Sequence, residues 1–247
     1  MCSAKTGNIG SHVRCALFVL LTIIIVPPYS YAGDNERSAS GFLDFNYYYD
    51  DRDFNVHTLN ILAKPSESIE YFSFTNLFNS PDAKDNFDAS NFYTEQNIRW
   101  TMVRDIPLQL SLQWSGVSGD SNDVFRLGAR VLVSKLGLFN KLFEILNGWY
   151  TVTFHLVQED KMDGYNWQIE HVYYVRPIPG DFGQRLYFSG FVDHNKYENA
   201  GDKMVMEHQV GIRLVDKLFM VAEYRKNEFL KSGQEGVGYG LEYMIIF

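Results

Sequence analysis

The last eleven residues, 237–247, constrain this chain most. Val237, Tyr239, Leu241, Tyr243, Ile245 and Phe247 alternate with Gly238, Gly240, Glu242, Met244 and Ile246. A period of two means an extended strand with one apolar face. Eleven residues is also about the length at which a tilted strand crosses a bilayer. At the end of a soluble sheet such a strand would offer an open edge. In a closed barrel the last strand pairs with the first and no edge is left. The stretch therefore predicts a barrel, and the rest of the chain tests that expectation.

The opening residues predict the compartment. Lys5, His12 and Arg14 precede an apolar run over 15–26, too short to span as a helix. Pro27 and Pro28 end it, and Ser30-Tyr31-Ala32 puts small residues at both recognition positions of a signal peptidase. These are the three regions of a secretory signal peptide over 1–32, cleaved after Ala32, with 33–247 as the mature part. An uncleaved anchor is the competing reading, opposed by the short run. Cys15 precedes the run instead of ending it, which argues against lipoprotein processing. Cys2 and Cys15 both fall in the removed segment, so the mature chain is expected to hold no disulfide or thiolate metal site.

Removal of 1–32 takes away Lys5 and Arg14 and no acid, so the formal charge moves from −8 to −10. An acidic chain is a poor partner for nucleic acid, whose phosphates need a basic patch. Aromatics make up 16% of the residues, and short alternating segments recur throughout, as expected of membrane strands. A secreted β-sandwich would alternate in the same way.

Twelve strands are expected. The first covers 41–49, with Leu43, Phe45, Tyr47 and Tyr49 against Asp44, Asn46 and Tyr48. The second and third cover 54–63 and 69–78; in the third, Phe72 and Phe74 oppose Tyr71, Ser73 and Thr75, which leaves its polar side open. The loop 79–91 is long and polar, and the fourth strand covers 92–102. The fifth has the cleanest pattern: Leu108, Leu110, Leu112 and Trp114 against Gln109, Ser111, Gln113 and Ser115. The sixth sets Phe125, Leu127, Ala129, Val131 and Val133 against Arg126, Gly128 and Arg130. Over 134–147 the period changes: Leu138, Leu142, Ile145 and Leu146 follow helical spacing, so a short amphipathic helix or an irregular long turn is expected. The seventh strand sets Tyr150, Val152, Phe154 and Leu156 against Thr151, Thr153 and His155. The eighth covers 165–175. The ninth sets Leu186, Phe188 and Val192 against Arg185, Tyr187, Ser189 and Asp193, followed by a polar loop over 194–203. The tenth sets Met204, Met206, Val210 and Ile212 against Glu207, Gln209 and Arg213, and the eleventh Met220, Ala222 and Tyr224 against Glu223 and Arg225.

Connections after odd strands read as mostly long and polar, and those after even strands as mostly short turns, with the helix region 134–147 as the exception. The predicted class is therefore all-β: a transmembrane antiparallel up-and-down barrel of about twelve strands, with short periplasmic turns and longer outer loops. An even count puts both ends on the periplasmic side. Aromatics near strand ends, among them Tyr47, Tyr49, Trp100, Trp114, Trp149, Tyr150, Trp167 and Tyr243, suit the two girdles of such a barrel.

Turn-centred registers predict which polar residues meet in the lumen. Asn97 falls opposite Gln113, Arg99 opposite Ser111, Gln113 opposite Arg126 and Gln109 opposite Arg130. Arg99, Arg126 and Arg130 thus form a basic wall. Glu207 falls opposite Arg225 and Gln209 opposite Glu223, with Glu242 and Asp44 adjacent, which forms a more acidic wall. Facing walls of opposite sign would set a transverse field that orients a polar solute. The competing reading is that the charges pair and fill the lumen as a polar core.

No catalytic constellation is found. His171 and His208 fall on the lipid-side parity and Ser189 on the lumen side. His155 is lumen-side, with Glu170 and Gln168 on the next strand but no facing serine. The five mature histidines are scattered, without His-x-x-x-His spacing. Neither an enzyme nor a cofactor is expected. An outer-membrane lipid hydrolase ranks third, after a channel and a closed barrel with a structural or surface-binding role.

The closing strand, with its aromatic last residue, resembles the terminal assembly signal of bacterial outer-membrane proteins, which makes the barrel assembly machinery an expected partner through Phe247. The mature chain as a whole resembles the Tsx-like family of nucleoside-specific outer-membrane channels. The likeness rests on its size, the twelve strands, the opening Gly41-Phe-Leu-Asp-Phe-Asn-Tyr-Tyr-Tyr49, the stretch Tyr71-Phe-Ser-Phe-Thr-Asn-Leu-Phe78 and the closing Gly-Tyr-Gly-Leu-Glu-Tyr. The resemblance implies a narrow monomeric channel in outer-membrane lipid, with no cofactor. It implies a small polar solute such as a nucleoside, with the base stacked on Tyr48, Phe72 or Phe74 and polar partners among Asp44, Glu95, Arg99 and Arg126.

Overall fold

A computed structural model describes residues 39–79, 91–119 and 123–247. The expected signal peptide and the central part of the loop after the third strand lie outside the described residues. Twelve antiparallel strands close into one barrel, each paired with its sequence neighbours and the first with the last. They are β1 Ser40–Asp50, β2 Phe54–Lys64, β3 Ile69–Phe78, β4 Asn91–Trp100, β5 Leu108–Val117, β6 Val124–Val131, β7 Trp149–Glu159, β8 Asn166–Val175, β9 Leu186–Tyr197, β10 Gly201–Val215, β11 Leu218–Asn227 and β12 Glu235–Ile246. A 3-10 turn (Val133–Lys135) and helix α1 (Gly137–Ile145) connect β6 to β7, and a four-residue helix α2 (Gly180–Gly183) precedes β9.

The polarity of the barrel is inverted relative to a soluble protein. On β5, Gln109, Ser111, Gln113 and Ser115 are buried, while Leu108, Leu110 and Leu112 are exposed. The same alternation runs around the outer surface, where Phe45, Ile98, Phe125, Met220 and Leu241 stand exposed. Alternating strands can dispose of their two faces in this way only if the apolar face meets a non-aqueous medium. Inside lies a small apolar cluster of Tyr48, Val56, Tyr187, Phe219 and Val221, and most of the remaining interior is polar.

The seam shows why the C-terminal stretch governs the fold. Nine register pairs, from Phe42 opposite Ile246 to Asp50 opposite Gly238, join β1 to β12. The last residue takes part, with Gly41 N–H donating to Phe247 O at 2.8 Å and Phe247 N–H to Gly41 O at 3.1 Å. Gly211 on β10 is required by packing. Tyr187, directly opposite on β9, lays its ring across the bare backbone there, and a Cβ would come within 2.2 Å of that ring.

Three expectations are corrected. The fourth strand ends at Trp100, two residues early, leaving Met102 in the turn. The segment 194–203, read as a polar loop, is mostly paired strand: β9 and β10 run on to a tight turn at 198–200. Their polar outward residues, including the Lys196–Asp202 ion pair, extend the hairpin beyond the apolar band. The contrast between short and long ends is reduced by the tight turn at 198–200 and keeps its expected exception in the helix region. The turns at 51–53 and 198–200 lie at the end opposite the termini, while the longest connection, 132–148, lies at the end where β1 begins and β12 finishes. A further feature was not foreseen: a bulge on β7 turns both Leu156 and Val157 outward and returns Gln158 to the lumen.

The helix expected over 134–147 forms as α1. Phe143 stacks on Tyr150 at 6.0 Å, and Arg176 N–H donates to Leu146 O at 2.8 Å, which fixes the helix to the outside of β7 and β8. Leu138, Leu142 and Ile145 face away from the barrel, exposed.

A polar lumen as the candidate functional site

In an antiparallel ladder, residues directly opposite point to the same side. The observed registers match every lumen pairing expected from the turns: Asn97–Gln113 and Arg99–Ser111, Gln113–Arg126 and Gln109–Arg130, Glu207–Arg225 and Gln209–Glu223. Strand β3 is also resolved. Phe72 lies opposite Asn97 and Phe74 opposite Glu95, so both face inward. All the candidates therefore line the lumen: Asp44, Tyr48, Phe72, Phe74, Glu95, Arg99, Arg126, Arg130, Glu207, Glu223 and Arg225.

The wall of β3 to β6 is tied together by charge and amide hydrogen bonds. Glu70 Oε1 accepts from Arg99 Nη1 at 2.9 Å and from Arg130 Nη1 at 2.6 Å, and Lys64 Nζ stands 3.3 Å from Oε2. Arg130 also donates to Gln109 at 3.2 Å, and the Arg99 guanidinium lies 5.5 Å from the Phe72 ring centre. A second relay starts at Glu95, which accepts from Asn97 at 2.8 Å. Asn97 accepts from Gln113 at 3.3 Å, and Gln113 from Arg126 at 2.7 Å. Arg126 also donates to Gln158 at 2.7 Å across the β6–β7 pair.

The wall formed by β9 to β12 and β1 is also connected. Tyr187 donates to Glu242, and Gln209 contacts Tyr187, Tyr48 and Glu242. Asp44 accepts from Asn46 at 3.0 Å and Asn60 at 2.9 Å. Arg225 donates to Glu223 and lies 4.6 Å from the Tyr48 ring centre. Tyr48 is therefore enclosed by partners and is no free stacking surface. Asp50, bound to Arg52 at 2.6 Å, ends this wall.

The wall of β7 to β9 leaves more of its polar atoms unpaired than that of β3 to β6, where Arg99 Nε, Arg130 Nε and Ser111 Oγ are also buried without a partner. Thr153 donates to Glu170 at 2.7 Å and Gln168 to Asn195 at 3.1 Å. Yet both ring nitrogens of His155, Gln168 Oε1, Asp193 Oδ1 and Thr151 Oγ1 are buried without a hydrogen-bond partner. Buried polar atoms are normally paired with protein or water, so this group marks where water or a polar solute would bind. Aromatic rings cross the lumen nearby: Phe74 on β3 lies 5.3 Å from Tyr93 and 6.4 Å from Phe191 on β9.

One expectation about charge changes. The basic wall is interrupted, because Glu70 sits between Arg99 and Arg130, while the wall in which Arg225 sits among Glu223, Glu207 and Asp50 keeps its excess of acid. Acid and base interleave, which shortens the reach of each charge. Sequence reasoning left Glu70, Asp193, Tyr187 and Phe191 out of the site. Glu70 was within reach: it follows the same parity as Phe72 and Phe74, one step nearer the turn at 65–68. Tyr187 and Asp193 carried the inward parity of the ninth strand, but their partners across the lumen, like those of Phe191, were not readable from spacing. His171 and His208 do face outward, bonded to Tyr150 at 2.6 Å and Tyr173 at 3.0 Å, so the sheet separates them from the lumen-side Ser189.

No family model matches the chain, and no curated protein sequence matches it. Among solved structures the barrel is similar to the KdgM porin, with a TM-score of 0.49, 11% identity, and coverage of 82% of this chain and 98% of that one. A second structure, the KdgM porin in complex with disordered oligogalacturonate, matches with a TM-score of 0.48 at 11% identity over 82% and 98%. A mutant of the Rh. blastica porin matches with a TM-score of 0.39 at 9% identity over 84% and 99%.

Proposed function

We propose that this chain is a bacterial outer-membrane channel that passes small polar solutes down their gradients. One observation carries the reading: a closed barrel whose outer surface is apolar and whose interior is lined by ionisable and amide side chains. Outer-membrane lipid then surrounds the apolar band. The end bearing both termini faces the periplasm, and Phe247, at the seam, is the feature the barrel assembly machinery would read. The protein works as a monomer, without a cofactor or a catalytic step.

A nucleoside is the finer proposal for the solute. Phe74, Tyr93 and Phe191 offer rings on which a flat base stacks, and the amides and carboxylates around them offer partners for a sugar. Phe72 beneath Arg99 and Tyr48 beneath Arg225 are already engaged, so Phe74 takes the stacking role. The second reading, a closed barrel with a structural or surface-binding role, is favoured by a single observation: Asn97, Ser111, Thr153 and His155 are fully buried.

Liposome swelling separates the two. Vesicles holding the refolded protein are expected to swell in uridine and adenosine faster than in a disaccharide of larger cross-section, and Phe74→Ala is expected to narrow that preference. Vesicles that swell no faster than empty ones, with protein that keeps heat-modifiable gel migration, would support the closed barrel.

A further inference from the structure

The lumen is unequally charged. Among the described residues, the buried charged side chains are eight carboxylates (Asp44, Asp50, Glu70, Glu95, Glu170, Asp193, Glu223, Glu242) and four arginines (Arg99, Arg126, Arg130, Arg225). Glu70, Asp50 and Glu223 lie within 4.0 Å of a cationic nitrogen. Asp44, Glu95, Glu170, Asp193 and Glu242 have no such partner among the described residues. Arg126 spends its donors on two glutamines instead of an acid.

Three of the unpaired acids converge. Glu170 on β8 lies directly opposite Asp193 on β9. Glu95, on the far wall at β4, lies directly opposite Phe74, whose ring reaches across the lumen to Phe191, two residues from Asp193. Beside them the fully buried His155 presents two unpartnered ring nitrogens, Gln168 an unpartnered Oε1 and Asp193 an unpartnered Oδ1. Acids with no cationic nitrogen within 4.0 Å, next to unpartnered donors and acceptors, are what a pore presents to a cation or a neutral hydrogen-bonding solute. An anion would meet repulsion at the same level.

We infer that Glu95, Glu170 and Asp193, with His155 and Gln168, form a constriction that selects cations and neutral polar solutes over anions. This rests on the channel reading and names its solute class. An acidic oligosaccharide or a free phosphate ester is then a poor solute, whereas a nucleoside, an amino sugar or a cationic amino acid fits.

Reversal potentials of the refolded protein in a planar bilayer under a potassium chloride gradient, at neutral pH, test the inference. One unit charge at contact distance in a water-filled pore favours potassium about fivefold and disfavours chloride by about the same factor, so the permeability ratio is expected to exceed roughly ten. The double variant Glu170→Gln/Asp193→Asn is expected to bring the ratio close to unity, and Arg126→Gln to raise it above the wild type. Chloride preference in the wild type, or a ratio that neither set of substitutions moves, would overturn the inference while leaving a channel in place. If the double variant fails to fold, the wild-type ratio and the rise in Arg126→Gln still decide it. A folded barrel that carries no current overturns the channel reading and this inference together.

Discussion

The two sides of the lumen satisfy their polar groups in different ways. From β3 to β6, Glu70 joins Arg99 to Arg130, and an unbroken relay runs from Glu95 through Asn97 and Gln113 to Arg126. From β7 to β9, His155 makes no hydrogen bond, and Gln168 and Asp193 each leave an oxygen idle. Both walls are cut from alternating strands of similar length and polarity. The difference teaches that a polar lumen has two uses. Groups tied to one another hold the barrel's cross-section, and groups left untied are available to whatever passes through it.

The largest expected effect lies on the tied wall. Glu70→Ala leaves two buried guanidinium groups without their shared carboxylate. It is expected to cost about 3–5 kcal/mol of stability, read as the urea midpoint for unfolding from lipid vesicles. Glu170→Gln on the untied wall is expected to shift that midpoint by less than about 1 kcal/mol. Equal losses would erase the distinction. The next effect concerns the outer surface. Leu112→Arg, in the middle of β5, is expected to cost about 2–4 kcal/mol because it places a charge at mid-bilayer, whereas Leu138→Arg on α1 is expected to cost about 0–1 kcal/mol at the interface. Similar costs at both sites would place α1 deeper than the girdle.

A smaller contrast sharpens the comparison of walls. Gln113→Ala removes the link between Asn97 and Arg126 and is expected to cost about 1–3 kcal/mol. His155→Leu removes a buried imidazole that makes no hydrogen bond. It is expected to leave stability unchanged or raise it by about 1 kcal/mol, while slowing solute passage in the swelling assay. A large loss of stability in His155→Leu would show that His155 is held by a bonded water and belongs to the tied set.

The fold was legible because a strand's period of two is local. Leu108 to Ser115 give the orientation of β5 without any knowledge of its neighbours, and short turns such as 216–217 then set the registers. The helix α1 was legible for the same reason, through the change of period at Leu138 and Leu142. The ends of β9 and β10 were not, because polar residues on a hairpin that outruns the apolar band look the same as loop. The site was legible only wall by wall. Adjacent-strand pairs such as Gln113 with Arg126 follow from turns. Contacts across the lumen, such as Phe74 with Phe191 or Tyr187 with Glu242, depend on barrel closure and leave no trace in sequence spacing. The facing-wall picture failed at Glu70, a single carboxylate on a strand whose inward side the sequence left open.

The central claim is that the polar interior conducts. Single-channel recording of the refolded protein in a planar bilayer tests it most directly. Discrete, small current steps that nucleosides reduce are the predicted result. A flat record from protein whose heat-modifiable migration shows it folded in the same lipid would contradict the account and leave a closed barrel in its place.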